Sequence, residues 1–489
     1  MKKSTLALSV ILILGGVWTG AAWYTGKTAE SEYQQQLDKL NERLAANVGS
    51  GYRIKAEISE FSRGLFSSEI AYNVLIDLPD GSKSQKLPFS GTLYHGPLPL
   101  NLIKQLNFTP ALFSVYSELV KNEDNKEFFE NSKDKNPLTD VMTLTYSKRL
   151  KGYTRLAQGK MNLEGVELSW QDSSLDYDAD YQGAGEYKYE IKGLHSRWQN
   201  ELLAKLSGIE PKDYPIETME INIDALQAVN HIAPTEYPYL YTGKQEGKLG
   251  NLQLVYTYSG ELNKVSPAVL EVKDWAFDYD IGLNQGFINA KLNNNIADLS
   301  LNKQSLGKVQ LDMQLNHLAA AALNQILDYN RNPEQLDDDK LQAQFEAIVQ
   351  NQPQIKISSF AISNSGGKLG LDFNLELAEV DFAKLMQQED KILDMLKQFE
   401  LRVKADKAAF TQSLATLLRI GGMNEEEADK QAALQSDEAI QAMQHQNIVT
   451  ADEKSFASNL VLEEGKLKLN GEVIPEEYLA MFLLSLLLQ

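Results

Sequence analysis

Apolar and polar residues alternate strictly along segment after segment of this chain, and a period of two commits a backbone to β-strand with one dry and one wet face. Tyr52, Ile54, Ala56 and Ile58 point one way, and Arg53, Lys55, Glu57 and Ser59 the other. Ile70, Tyr72, Val74, Ile76 and Leu78 repeat the pattern and stop at Pro79-Asp80-Gly81, whose proline and glycine make a turn. The segment from Phe61 to Ser68 would connect the two. Val309, Leu311, Met313 and Leu315 alternate with Gln310, Asp312, Gln314 and Asn316; Leu369, Leu371, Phe373, Leu375 and Leu377 do the same with Gly370, Asp372, Asn374 and Glu376. Leu460-Val461-Leu462, Glu463-Glu464-Gly465 and Lys466-Leu467-Lys468-Leu469 read as a hairpin. One-sided strands without regular helical crossovers through the first ~300 residues indicate antiparallel sheet rather than a doubly wound parallel fold.

Helical periodicity appears later, over His317 to Leu327, Leu336 to Val349, Val380 to Phe399, Lys407 to Leu418 and Glu425 to Met443, with Asn424 and Glu427 placed as a capping box. The expected fold class is therefore α+β: an N-terminal transmembrane helix, a β-rich antiparallel periplasmic body, and a helical insertion in the C-terminal third. The expected divisions are a cytoplasmic tip at 1–3, an anchor at 4–25, a helical stalk at 26–50, and a β-rich region at 51–317. A helix-rich region with a strand pair near 354–377 follows at 318–450, and a closing hairpin and helix at 451–489. Leu479 to Leu488 is too short to span a bilayer and reads as a packing helix, with an interfacial or partner-binding tail as the alternative.

The anchor rests on Ser4 to Thr25, which carry no charge and close on Trp23-Tyr24. A helix of about 22 residues rises roughly 33 Å, enough to cross a hydrocarbon core of about 30 Å. Lys2 and Lys3 favour a cytoplasmic N-terminus and hence a translocated body, in the periplasm if the source is bacterial. A cleavable signal peptide is the competing reading, but an aromatic pair suits a membrane interface better than a cleavage site. The chain has no cysteine, so neither a lipidated Cys nor a disulfide supports it. Its net charge of −20 argues against nucleic acid and against peripheral binding to anionic headgroups, which leaves attachment to the span. Gly16 and Gly20 have the spacing that lets two membrane helices approach closely and form a homodimer, although glycines are common in such helices anyway. Tyr33, Leu37, Leu40 and Leu44 then recur at helical spacing, as in a short stalk.

Three segments, Gly16 to Lys27, Arg63-Gly64-Leu65-Phe66-Ser67-Ser68 and His95-Gly96-Pro97-Leu98-Pro99-Leu100, resemble the YdgA-like family of bacterial envelope proteins. Leu469-Asn470-Gly471, Glu476, Glu477 and Met481-Phe482 are similar too. The resemblance implies a Gram-negative inner-membrane or periplasmic setting and an unknown molecular function. It supplies no catalytic residue.

Motifs for chemistry mostly fail on physical grounds. Ala21 to Thr28 matches a relaxed phosphate loop but has no preceding strand to aim its N–H groups. Asp176, Asp178 and Asp180 suggest a calcium loop, yet Tyr181 and Tyr187 occupy positions that require glycine and glutamate, so an acidic strand face paired with Tyr187, Tyr189 and Ile191 is the stronger reading. None of the five histidines, at 95, 195, 231, 317 and 445, has a second His at metal-binding helical spacing. No catalytic residue, cofactor or metal is assigned. Arg63, Gly64, Phe66, His95, Gly96 and Pro97 are the candidate functional positions, with Gly16 and Gly20 the candidate dimer contacts. His95 is expected to be hydrogen-bonded in a tight turn and Arg63 to bridge to a carboxylate. The expected function is non-catalytic binding or scaffolding in the cell envelope, with a lipid or an envelope protein as partner. Two alternatives stay open: lipid handling along an apolar sheet face, on fold-level analogy with AsmA-like proteins, and a hydrolase with dispersed residues.

Overall fold

The computed structural model describes residues 21–22, 24–35, 37–38, 41, 53–77, 85–133, 135–163, 165–260, 267–331, 337–379 and 392–475. Among them the chain is an α+β protein rich in antiparallel sheet. It separates into two compact units: one of the residues up to His195 with Leu226–Pro234, the other of Ser196–Ala225, Thr235–Asn330 and the chain from Glu334 onward.

In the first unit, β1 (Arg53–Arg63), β2 (Ser67–Asp77), β3 (Gln85–His95), β4 (Ala111–Leu119), β5 (Leu138–Thr145) and β6 (Arg149–Leu156) each pair antiparallel with the next. A small hairpin of β7 (Gly159–Leu163) and β8 (Val166–Trp170) follows, after which β9 (Ser173–Asp180) pairs with β6 and β10 (Gly185–Gln199) with β9. The alternation read from the sequence sets the register: Ile54, Ala56 and Ile58 stand opposite Ile76, Val74 and Tyr72. A bulge after Ile58 then turns Phe61 toward Ile70. The buried core of this sheet is Ile70, Leu93, Phe113, Val115 and Leu144.

The N-terminal helix completes that core. Ala29 and Tyr33 pack into it, Tyr33 meets Phe113 edge-on with ring centroids 6.3 Å apart, and Leu37 is buried as well. Asn41 then clamps β1, donating to the Ala56 carbonyl at 2.8 Å and accepting from its N–H at 2.7 Å. The segment expected as a stalk thus packs on the sheet, because a stripe of Ala29, Tyr33 and Leu37 on one helix face needs an apolar partner. Ala22 and Thr25, expected at the end of the membrane span, are buried too. Gly16, Gly20 and the rest of the run up to residue 20 lie outside the described residues, as does the apolar stretch from Leu479. Among the described residues no helix is long and apolar enough to cross a membrane.

β11 (Ile216–Pro234) leads to the second unit's main sheet: β12 (Tyr241–Tyr258), β13 (Ala268–Asn284), β14 (Phe287–Leu301), β15 (Gln304–Ala319), β16 (Gln354–Asn364), β17 (Gly367–Leu377) and β18 (Leu396–Asp406). Each of these from β12 on pairs antiparallel with the next. β19 (Thr450–Ala451) and β20 (Ser455–Glu463) follow, with β20 beside β18, and β21 (Lys466–Leu469) and β22 (Glu472–Val473) close the order. The β20–β21 hairpin turns where expected, through Glu464 and Gly465 at φ 52° and 70°. Helices Ala320–Arg331 and Asp338–Gln350 separate β15 from β16; Lys407–Ile420 and Glu425–His445 separate β18 from β19. The Glu427 N–H donates to Asn424 at 3.0 Å, the expected cap. The helix expected from Val380 to Phe399 is a strand at its C-terminal end, where Leu396 and Phe399 enter a core with Leu467. Residues 380–391 lie outside the described set.

Candidate functional site

The residues singled out from the sequence converge at one end of the first sheet. Ser67 pairs with Tyr94, and the His95 N–H donates to the Phe66 carbonyl at 3.0 Å, so the Arg63 and His95 segments are neighbours. Gly64 makes the β1–β2 turn: its N–H donates to Ser67 O at 2.8 Å, and a Cβ at position 64 would sit 2.6 Å from that same oxygen. Gly96, at φ 120°, lets the chain leave β3, and the Pro97 carbonyl accepts from Ala111 at 3.3 Å.

The third segment of the resemblance arrives from the N-terminal helix. The imidazole of His95 is 2 % exposed and its Nδ1 lies 2.9 Å from the Ala22 carbonyl, which assigns the neutral ring's proton to Nδ1. Nε2 is buried without a hydrogen-bond partner. Burial holds the imidazole below its ordinary pKa; the Ala22 and Ser67 carbonyls oppose that shift, and the Arg63 charge adds to it. His95 therefore holds a helix from another part of the chain, where the sequence suggested a bond within its own turn. A ring closed off in this way cannot reach a substrate. Arg63 is exposed, and no carboxylate pairs with it among the described residues.

The acidic strand face is explained by its partners. Asp176 pairs with Arg155 at 2.7 Å, and Asp178 with Arg149 at 2.6 Å and Lys151 at 2.8 Å. Against a burial penalty, Lys151 and Arg149 hold the Asp178 carboxyl below the usual range. Among the described residues no group of three or more His, Cys, Asp or Glu could hold a metal ion. A carboxylate that sequence reading missed is Asp140, which accepts from Thr154 at 2.8 Å and has its pKa raised by burial. Its charge acts on the hydroxyls of Tyr33, Tyr72 and Tyr177. Asp140 follows no alternating pattern, so only the fold brings it among them.

A second feature lies in the second unit, where the sequence reading reached the dry faces of Leu311, Met313, Leu371 and Phe373 but not the aromatic strand of the same sheet. Phe277, Asn294, Leu311, Phe360, Leu371 and Val403 stand in register across β13–β18, and the adjacent row is Tyr279, Leu292, Met313, Ile357, Phe373 and Leu401. All are half-buried, Phe373 and Leu401 against the core of Leu396, Phe399 and Leu467. The opposite face is polar, with Asp278, Asn293, Asp312 and Ser359 in register. Helices cover parts of the apolar face at its ends. Ile440, Phe410 and Met443 pack on Leu369, Ala405 and Phe456, while Leu323 and Leu327 pack with Ile281, Leu283 and Ile288. Between them Trp275, Phe277 and Tyr279 form an aromatic ladder, with centroid spacings of 5.9 and 5.4 Å. Asn294 Oδ1 accepts from Trp275 Nε1 at 3.0 Å and from the Tyr279 hydroxyl at 2.8 Å. The signal was present in the sequence as Trp275, Phe277, Tyr279 and Ile281 alternating with Ala276, Asp278 and Asp280.

Comparison with known proteins agrees with the resemblance read from the motifs. The bacterial family described as "Bacterial protein of unknown function (DUF945)" matches residues 1–477. Protein YdgA of Escherichia coli is 25% identical, covering 99% of this chain and 97% of the relative. The uncharacterized protein YihF of the same organism is 22% identical, covering 98% of each chain. An uncharacterized protein of Haemophilus influenzae is 29% identical, over 67% of this chain and 86% of its own length. No solved structure matches.

Proposed function

The chain belongs to the bacterial DUF945 family, of unknown function, and from that premise we propose that it is a non-catalytic binding protein of the cell envelope. Its N-terminal uncharged run anchors it in the inner membrane, its body faces the periplasm, and its second unit receives a hydrophobic ligand, an acyl chain, along the apolar face of β13–β18. The observation that carries this reading is the pair of half-buried rows around Phe277 and Tyr279. Folded monomers seldom leave contiguous apolar surface of more than a few hundred Å² uncovered unless something binds there. The closed environment of His95 supports the absence of catalysis at the candidate motifs. A purely scaffolding body has less need of such a face, so the lipid reading takes precedence over it.

Photo-crosslinking tests the proposal. The full-length chain in native membranes is treated with a phospholipid carrying a photoreactive acyl chain, and labelled peptides are mapped. Label on the peptides bearing Phe277, Met313 and Phe360, reduced in a Met313→Glu variant, is the expected result. Label confined to the N-terminal run would overturn the ligand reading and leave the anchor.

A further inference from the structure

One end of the first unit's sheet carries apolar side chains into solvent on three separate connections. Leu65 sits in the β1–β2 turn, Leu106 and Phe108 in the loop before β4, and Tyr146 in the β5–β6 turn; all are exposed, Leu106 by 81% and Phe108 by 61%. The pairings fix them at the same end. Ser67 stands opposite Tyr94, Ala111 opposite Thr145, and the Pro97 carbonyl accepts from Ala111. Leu106 is moreover held at φ 58°, a left-handed conformation in which a glycine or asparagine would be less strained. A leucine kept there and turned outward contributes little to the core.

Two further observations belong to this end. Lys27, Lys104 and Lys148 are exposed around the apolar tips, in a chain whose net charge is −20. Negatively charged groups lie nearby as well: Asp180 accepts from the Gln182 and Ala184 N–H groups, Glu32 from the Tyr181 hydroxyl, and Glu30 is exposed, while Lys148 sits 5.7 Å over the Tyr181 ring. The N-terminal helix also arrives here, since the Ala22 carbonyl rests on His95. The uncharged run up to residue 20 therefore joins the body at the end that carries Leu106 and Phe108.

We propose that this end of the first unit is a membrane-contact face, seated on the bilayer that the N-terminal run crosses. Leu106 and Phe108 enter the interfacial layer, with Leu65 and Tyr146 beside them and the three lysines at the level of the lipid phosphates. Short apolar tips ringed by cations suit a headgroup layer, where the side chain's body is dry and the amines stay wet. The proposal rests on the reading of the run as an anchor. Continuity with that run, together with apolar tips that have lysines beside them, favours a bilayer over a protein as the occupant.

The absence of cysteine makes the test specific, because one introduced thiol takes one nitroxide label. Full-length Leu106→Cys and Phe108→Cys are reconstituted into vesicles of phosphatidylethanolamine and phosphatidylglycerol, with Lys121→Cys, exposed at the far end of β4, as the reference. Flotation reports the anchor, and power saturation reports depth. The expected result is a floating protein whose labels at 106 and 108 have an oxygen-to-nickel accessibility ratio severalfold above that at 121. A floating protein with all three labels equally aqueous overturns the contact face and spares the anchor. Labels immobilised without gaining oxygen access place protein on this face and overturn the bilayer assignment. Failure to float overturns the anchor and this proposal together.

Discussion

Gly26 and His95 meet backbone to imidazole: a Cβ on Gly26 would lie 2.6 Å from Cε1 of a ring that is itself closed in on all sides. The contact lets the N-terminal helix lie close enough for the Ala22 carbonyl to reach Nδ1.

Gly26→Ala is expected to destabilise the chain. Helix propensity alone favours alanine by about 1 kcal/mol, whereas overpacking a closed contact costs about 1–3 kcal/mol. A lower denaturation midpoint in Gly26→Ala, partly restored by adding His95→Ala, is the expected pattern. A raised midpoint would mean that the ring yields.

The low pKa of His95 makes this contact sensitive to acid. The unfolded chain binds the proton more readily than the folded one, so the His95 contribution is present above the ordinary value of 6.5 and is lost as the pH falls below it. Each full unit of depression corresponds to about 1.4 kcal/mol. His95→Gln retains an N–H donor and does not titrate. Thermal melts from about pH 7.5 to about pH 5 should show the native chain losing stability more steeply than this variant. Parallel curves would remove His95 from the account.

Asp140 has the opposite sign. Burial raises its pKa, so the folded chain holds the proton more tightly, and ionisation at neutral pH costs stability. Asp140→Asn keeps an acceptor for Thr154. It is expected to raise the melting temperature at neutral pH, with the gain shrinking as the pH approaches 3.8, the ordinary value for the acid. An equal gain at both ends of the range would point to packing instead.

Asn294→Leu removes the acceptor shared by Trp275 and Tyr279. Two half-buried donors without partners cost on the order of 1–3 kcal/mol each, less whatever water recovers. Equilibrium denaturation should therefore show a lower midpoint, with a shift in tryptophan emission. An unchanged midpoint would show that water already serves both donors.

Local patterns made the sheets legible: the alternation over Leu369–Leu377 and over Val309–Leu315, and the turn at Glu464-Gly465, are all realised. Patterns that serve two purposes misled. Leu396 and Phe399 fit helical spacing equally well, yet they lie in β18, because neighbouring strands offer Phe399 a core. Tyr33 looked like part of a free-standing stripe because the core it joins is drawn from residues spread between Ile58 and Tyr181. The gathering of Arg63, His95 and Gly26 at one place had no signal in the sequence, for no spacing rule links residues so distant. Asp140 among its tyrosines had no local signal.

From β12 to β18 every strand lies against the one made just before it. A chain emerging N-terminus first can add each strand as it appears, without waiting for a partner hundreds of residues away, so loop closure stays local. Two strands pass over a pair of helices to find their partners, β16 to reach β15 and β20 to reach β18, and β20 does so last. Closure of the second sheet therefore falls to the final stretch of synthesis, and a chain stopped short of residue 455 would carry an unpaired β18 edge open to other chains.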